Sequence, residues 1–445
     1  MAAPGAGSAG GRTSRERLGL GMTSISVATR TKESPVPKTI ALLGALDTKG
    51  REYLFVKQCI EARGHRVLLI DTGVVGPPPI EPDVSRRQVV EAAGADLDAL
   101  LARRDRGEAM DAMSRGAAAL AARLFAQGAF DAILALGGGG GTSVACAAMR
   151  ALPLGVPKVM VSTVAGGDVS GYVGVKDIVM VPAIVDVAGL NRISRGVFAR
   201  AAAAVCAMAE ADVPPADDRP LVAASMFGNT TGCVEAARAI LERAGYEVLV
   251  FHATGTGGRV MENLVAEGHV AGVLDVTTTE WADQLVGGVL AAGPERLDAA
   301  ARAGVPAVVA PGCLDMVNFW KPETIPEQFR GRRFYQHNPN ITLMRTTPDE
   351  CAALGRILAE KLNRSTGPVT VLVPRGGLSV IDSPGGPFWW PEADAALADA
   401  LRSALRPGIP LVELDCNIND PEFARRAAEE LLANMAVARG AAAGG

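Results

Sequence analysis

The sequence predicts an α/β protein built from two Rossmann-like domains with mostly parallel sheets. Three observations carry the prediction. Short β-branched runs alternate with longer Ala/Leu/Arg segments almost throughout the 445 residues, which is the rhythm of βαβ units. The runs are apolar at consecutive positions, as strands covered by helices on both faces must be. The alternation halts once, at the acidic, proline-containing "AEADVPPADDRP" of 209–220, and then restarts.

In the first domain, 38–208, the predicted strands are "TIALLGA" from 39, "RVLLI" from 66, "DAILAL" from 131, "PKVMVST" from 157 and "DIVMVPA" from 177. Between the first two, "REYLFVKQCIEARGH" puts Tyr53, Val56 and Ile60 on one helical face and stops at Gly64; "AAALAARLFAQGAF" stops likewise at Gly128. The segment 209–220 is expected to be a linker. In the second domain, 221–437, the strands are "LVAASMF" from 221, "EVLVFHA" from 247, "AGVLDVT" from 271, "PAVVAP" from 306, "VTVLVP" from 369 and "PLVEL" from 410. The stretches from 40 and from 222 align, each running strand, polar turn, helix, glycine and a strand ending in Thr-Gly. Either the two halves descend from one duplicated unit or any two βαβ units look this similar.

Composition excludes several classes. With 49% hydrophobic residues the chain can bury a large core, and a net charge of -4 with scattered Lys and Arg leaves no footprint for nucleic acid. The seven cysteines lie far apart with no CxxC pair, which suits buried thiols in a reducing cytoplasm better than disulfides or zinc, so no metal site is expected. Residues 1–37 lack the apolar core of a secretory signal and read as a disordered extension; 438–445 read as a disordered tail. No apolar stretch reaches the roughly 18 residues of a membrane span, so no membrane partner is expected.

In an open α/β sheet ligands sit beyond the carboxyl ends of the strands, where helices begin. There "ILALGGGGGTS" places Gly137, Gly138, Gly139, Gly140 and Gly141 before Thr142 and Ser143. Without Cβ atoms these residues let backbone amides approach an anion and accept positive φ. The run is neither a P-loop nor GxGxxG. At the same edge "GALDTKG" supplies Asp47, Thr48 and Lys49, either as ligand contacts or as a helix cap with a solvated lysine, and "VSTVAGGD" supplies Ser162, Thr163, Gly166 and Gly167.

The second domain offers "FGNTTGC", "TGTGG" and "TTTEWADQ". Here Thr230, Thr231, Thr254, Gly255, Thr256, Gly257 and Thr277 are expected to form a neutral-donor pocket for a small carboxylate or phosphorylated substrate. The available acid–base groups are Glu280, Asp315 and His337, a lone histidine being as readily a structural hydrogen-bonder as a catalyst.

Taken together, "GALDTKG", "GGGGGTS", "VSTVAGGDVSGYVG", "DVAGLN", "FGNTTGC", "HATGTGG", "TTTEWADQ", "PGCLDMVNFW" and "HNPNITLMRTT" resemble one family over roughly residues 38–437. It is the largely uncharacterised group related to the N-terminal inhibitory domain of the tomato mosaic virus resistance protein. The resemblance implies two Rossmann-like domains, ATP binding, with or without Mg²⁺, and a homodimer; it supplies no reaction. Its nucleotide assignment falls on Asp47, Thr48, Lys49, Gly137 to Gly141, Thr142 and Ser143.

Three functions remain open at this level. The first is a cytoplasmic ATP-binding enzyme of small-molecule metabolism with a second ligand in the C-terminal domain or interdomain cleft. The others are a non-catalytic protein-interaction module, a dimer stabilised by ATP that docks another protein, and a lyase or hydrolase acting on a phosphorylated or carboxylate substrate with Glu280 or His337 as base.

Overall fold

In a computed structural model, which describes residues 36–213 and 219–443, the chain forms two α/β domains. The first is a five-stranded parallel sheet of β1 (Thr39–Gly44), β2 (Arg66–Asp71), β3 (Ala132–Gly137), β4 (Lys158–Ser162) and β5 (Ile178–Pro182), in the order β2-β1-β3-β4-β5. Tyr53, Val56 and Ile60, spaced for one helical face, are fully buried and pack with Val197 and Phe198 of the helix Arg192–Glu210 on one side of the sheet. The helices Arg86–Ala92, Arg106–Ala126 and Gly139–Arg150 cover the other side. Gly64 ends the first helix at φ +85° and Gly245 ends its counterpart in the second domain at φ +91°, a conformation in which a Cβ is strained.

The second domain carries β6 (Leu221–Met226), β7 (Glu247–His252), β8 (Gly272–Thr277) and β9 (Ala307–Gly312). An antiparallel insertion follows, of β10 (Met316–Phe319), β11 (Phe334–Asn338) and β12 (Ile341–Arg345), before β13 (Val369–Pro374) and β14 (Leu411–Leu414). The main sheet reads β7-β6-β8-β9-β13-β14, the order of the first domain extended by one strand. Both orders reverse direction beside their first strand, at β1/β3 and at β6/β8, and those two crevices are where a doubly wound sheet receives ligands.

Three expectations need correction. The linker does not begin at 209, because the helix Arg192–Glu210 continues through that point; 214–218 lie outside the described residues, as do 1–35 of the expected extension. The tail expected from 438 is helical to Ala443, its alanines extending the helix that starts at Pro421. Finally, β5 is an edge strand whose residues are at most half-buried, so its unbroken apolar run does not mark a central position. Among the described residues no helix is long and apolar enough to cross a membrane.

Candidate functional site

The β1/β3 crevice is built around Tyr53. Its ring passes over Gly44, where a Cβ would fall 1.8 Å from the Tyr53 hydroxyl. That hydroxyl lies 2.7 Å from the carbonyl oxygens of Leu43 and Leu136 and accepts the Leu136 N–H at 2.9 Å. Burial pushes the phenol well above its usual range. Tyr53 therefore pins apart two strands that stop pairing at Leu43 and Ala135, and it closes the floor of the crevice.

Above that floor the glycine run begins the helix Gly139–Arg150, and Gly138 at its N-cap gives no side-chain cap. None of the five glycines has positive φ, so backbone handedness is not what they provide. Gly137 is needed for close approach, since its Cβ would meet Gly141 Cα at 3.0 Å. Gly140 is also close, since a Cβ there would meet Met110 Cε at 3.3 Å, while Gly138, Gly139 and Gly141 have room. A Cβ on Gly139 would lie 3.9 Å from the Tyr172 hydroxyl and one on Gly141 would lie 3.8 Å from the Leu136 carbonyl, both ordinary contacts. A Cβ on Gly138 would sit 3.6 Å from Thr163 Oγ1, and one on Gly140 would sit 3.9 Å from the Arg106 guanidinium. Thr163, Arg106 and Tyr172 thus surround a helix start bare of side chains.

The expected residues divide accordingly. Gly138 to Gly141, the exposed Ser143 and Thr163, and the exposed loop with Gly166 and Gly167 lie at one edge. Thr142 and Ser162 face inward: fully buried, their hydroxyls are 2.7 Å apart, and Thr142 also donates to the Gly138 carbonyl. One oxygen of Asp47 accepts the N–H groups of Val75 and Gly76 while the other is buried without a hydrogen-bond partner, and Lys49 reaches the Val187 carbonyl at 2.5 Å. Thr48 is exposed and its hydroxyl points back to the Ala45 carbonyl. Sequence reasoning missed Arg106 and Tyr172, whose distance along the chain from the glycines leaves no local signal.

In the second domain the loop 254–258 does hold an anion, but the anion belongs to the protein. Glu280, buried, accepts from the amides of Gly255 at 2.7 Å and Gly258 at 3.1 Å, while Arg296 Nε donates to its other oxygen at 2.7 Å. A Cβ on Gly258 would lie 2.1 Å from that carboxylate, which explains the glycine. Arg296 also forks onto Asp275 and reaches Glu262, and the desolvation that disfavours its charge is overcome by these carboxylates, Asp275 foremost, which hold it well above the usual guanidinium range. Both oxygens of the buried Glu280 are thus engaged by donors of the protein itself, an arrangement that the reading as a base did not foresee.

The other expected partners lie at the carboxyl ends of the neighbouring strands β6, β7 and β8. Thr230 and Thr277 are buried with their hydroxyls 2.8 Å apart, Thr231 is exposed and bonded to the Phe227 and Gly228 carbonyls, and Thr254 and Thr256 flank the loop that Glu280 fills. Gly257 is dictated by backbone, its Cβ position being 1.9 Å from the His252 carbonyl. The hydroxyls of Thr230, Thr231 and Thr277 are thus engaged within the protein. Asp315 is fully buried beside Asp382 and Arg345; burial and then the Asp382 charge push its pKa up to about 7. His337 stands exposed on β11, so the three candidate acid–base residues are not gathered at one place. Among the described residues no group of three or more His, Cys, Asp or Glu side chains is placed to hold a metal ion.

Comparison with known proteins adds the following. A "UPF0261 protein" of Clostridium tetani (strain Massachusetts / E88) is 47% identical over 400 residues, covering 89% of this chain and 99% of its own. The "ToMV susceptible protein tm-1(GCR26)" of Solanum lycopersicum is 36% identical over 425 residues, 90% of this chain but 56% of the tomato protein. Among solved structures, a UDP-N-acetylglucosamine 2-epimerase from Rickettsia bellii aligns over 61% of this chain and 78% of its own, at 11% identity and a TM-score of 0.21, too distant to carry an argument. Residues 38–214 match the N-terminal domain and 219–435 the C-terminal domain of the Uncharacterised protein family (UPF0261), and the chain belongs to that family.

Proposed function

We propose that this protein binds a nucleotide through its phosphates at the start of the helix Gly139–Arg150, ATP being the nucleotide that the family resemblance implies. One observation carries the reading. Gly139 and Gly141 sit in a helical first turn where a Cβ would meet nothing closer than 3.8 Å, so packing does not demand glycine. Glycine in a helix costs roughly 0.5–1 kcal/mol relative to alanine. Bare amides kept at that cost, uncapped, beside the exposed Arg106 with no acidic partner among the described residues, fit a phosphate that approaches the backbone itself. Arg106 supplies a forked charge, and Thr163, Ser143 and Tyr172 supply hydroxyl donors.

The burial of Glu280 among internal donors and the exposure of His337 favour nucleotide as a ligand that stabilises the protein over a substrate turned over at those residues. A cytoplasmic homodimer belongs to the same proposal. Calorimetry with ATP and Mg²⁺ on wild type and Gly139→Asp tests it. The aspartate fits the open space, favours the helix start and sets a carboxylate where a phosphate would lie, so affinity should fall at least tenfold in a folded protein. Equal affinity in both would remove the glycine helix from the site. ATP turnover above background in wild type that Glu280→Gln abolishes would restore the lyase or hydrolase reading.

A further inference from the structure

A second cavity, of about 900 Å³, opens between the two domains, away from the glycine helix start. The first domain contributes Arg150, Gly174, Val175 and Lys176, and the second contributes residues of the helix Thr256–Ala266 and of the segment 292–303. Glu267 fastens the two walls together. It accepts from Lys176 and, at 3.0 Å, from the Leu154 N–H of the first domain, and from Asn263 of its own helix at 2.9 Å. Burial alone would raise its pKa, but these donors hold it down at about 2.

The charges lining the cleft are unequally spent. Of its carboxylates, Glu262 is satisfied by Arg296 and the N–H groups of Leu297 and Ala299, and Asp298 by Arg302, Lys361 and Arg364. Glu295 alone stays unpaired among the described residues. Against it stand three guanidinium groups with donors to spare. Arg150 uses one nitrogen on the Tyr172 carbonyl, Arg302 uses one on Asp298, and Arg259 makes only a 3.4 Å contact to Thr256 Oγ1. Between the charges the lining is apolar, with Val175, Ala266, Ala292 and Ala303. A volume in the usual range for small-molecule sites, apolar walls and a surplus of forked cations from both domains describe a receptor for an organic anion.

We propose that this interdomain cleft is a second ligand site, for a small phosphate monoester with an apolar body, held by Arg259 and Arg302 from one side and Arg150 from the other. It is independent of the nucleotide reading. Arg150 is unsuitable for the test because it also holds Tyr172, which stands over Gly139.

The probe is 1-naphthyl phosphate, titrated calorimetrically into the full chain carrying Gly139→Asp, so that the glycine helix cannot contribute. One site per chain is expected, weakened at least tenfold by adding Arg259→Gln and Arg302→Gln. Arg259 is exposed with only its Thr256 contact, and the exposed Arg302 pairs with the buried Asp298, which keeps Lys361 and Arg364, so the thermal transition should move little. In the Gly139-intact background the same pair should leave ATP affinity unchanged. No binding at millimolar probe, or affinity unaltered by the pair, overturns the proposal. A crystal soaked with the probe tests the same point independently: phosphate density against Arg259 supports the site, and density elsewhere refutes it.

Discussion

Replacing Arg296 with methionine should unfold the second domain at a markedly lower temperature while leaving the first nearly untouched. Arg296 is 2% exposed and meets Asp275, Glu280 and Glu262 at once. Methionine fills much of the same space, but three carboxylates then lose their common cation. Glu280 keeps the amides of Gly255 and Gly258, and Glu262 keeps those of Leu297 and Ala299. Asp275 keeps only the Ser225 hydroxyl at 2.7 Å. Breaking a buried pair from one side costs about 3–5 kcal/mol, because the remaining charge stays buried without compensation. For a domain of this size, about 2–4 °C per kcal/mol gives a drop of roughly 6–20 °C in its calorimetric transition. The deficit should narrow in acid, as the abandoned carboxylates take up protons. A drop below about 2 °C, or an equal drop in the first-domain transition, would refute the view that Arg296 organises this cluster.

Further outcomes can be measured with the same calorimeter. Tyr53→Phe removes the hydroxyl shared by Leu43 and Leu136 and should destabilise the first domain by about 1–3 kcal/mol, since the Leu136 N–H and two carbonyls lose a buried partner. Gly141→Ala should raise the melting temperature of the ligand-free protein by the equivalent of about 0.4–1 kcal/mol while weakening ATP binding; a gain in both would contradict the proposed role of the bare amides. Burial first, then the Asp382 charge, pushes Asp315 up to about 7 and Asp394 up to about 8. The folded state therefore holds protons that the unfolded chain releases near pH 4, so stability should decline as pH rises from about 4 to about 8. Asp315→Asn should flatten that decline, and an unchanged slope would count against it. Glu267 behaves oppositely: held down at about 2, it contributes stability above its ordinary carboxylate range that is lost as pH falls toward 2, and Glu267→Ala should speed hydrogen exchange at the Leu154 amide.

The central strands of the two parallel sheets were legible because a strand covered on both faces has to be apolar at every position, and the edge strands β5 and β14 because they carry apolar runs that their burial does not demand. The antiparallel insertion was not. Its "MVNF", "FYQHN" and "ITLMR" are short and mixed in polarity, and β11, largely exposed, carries no apolar pattern to read. The glycine edge was legible too, since side-chain-free residues after a strand are a local feature. Arg106 and Tyr172, which lie respectively before and after the glycines in sequence, become neighbours of that edge only when helices pack on the sheet.

For the acidic residues local reading misled. Glu280 follows three threonines and looks like a base beside neutral donors, yet the amides of the "TGTGG" loop and Arg296 take up its oxygens. Nothing in the residues around position 280 announces a cation at 296. The sequence by itself determined the two doubly wound sheets, the helix faces and the place where a backbone stands bare, because periodicity and glycine content act over a few residues. Only the tertiary structure decided which polar groups remain free to meet a ligand, because a buried charge is settled by whichever partner the fold brings within about 3 Å.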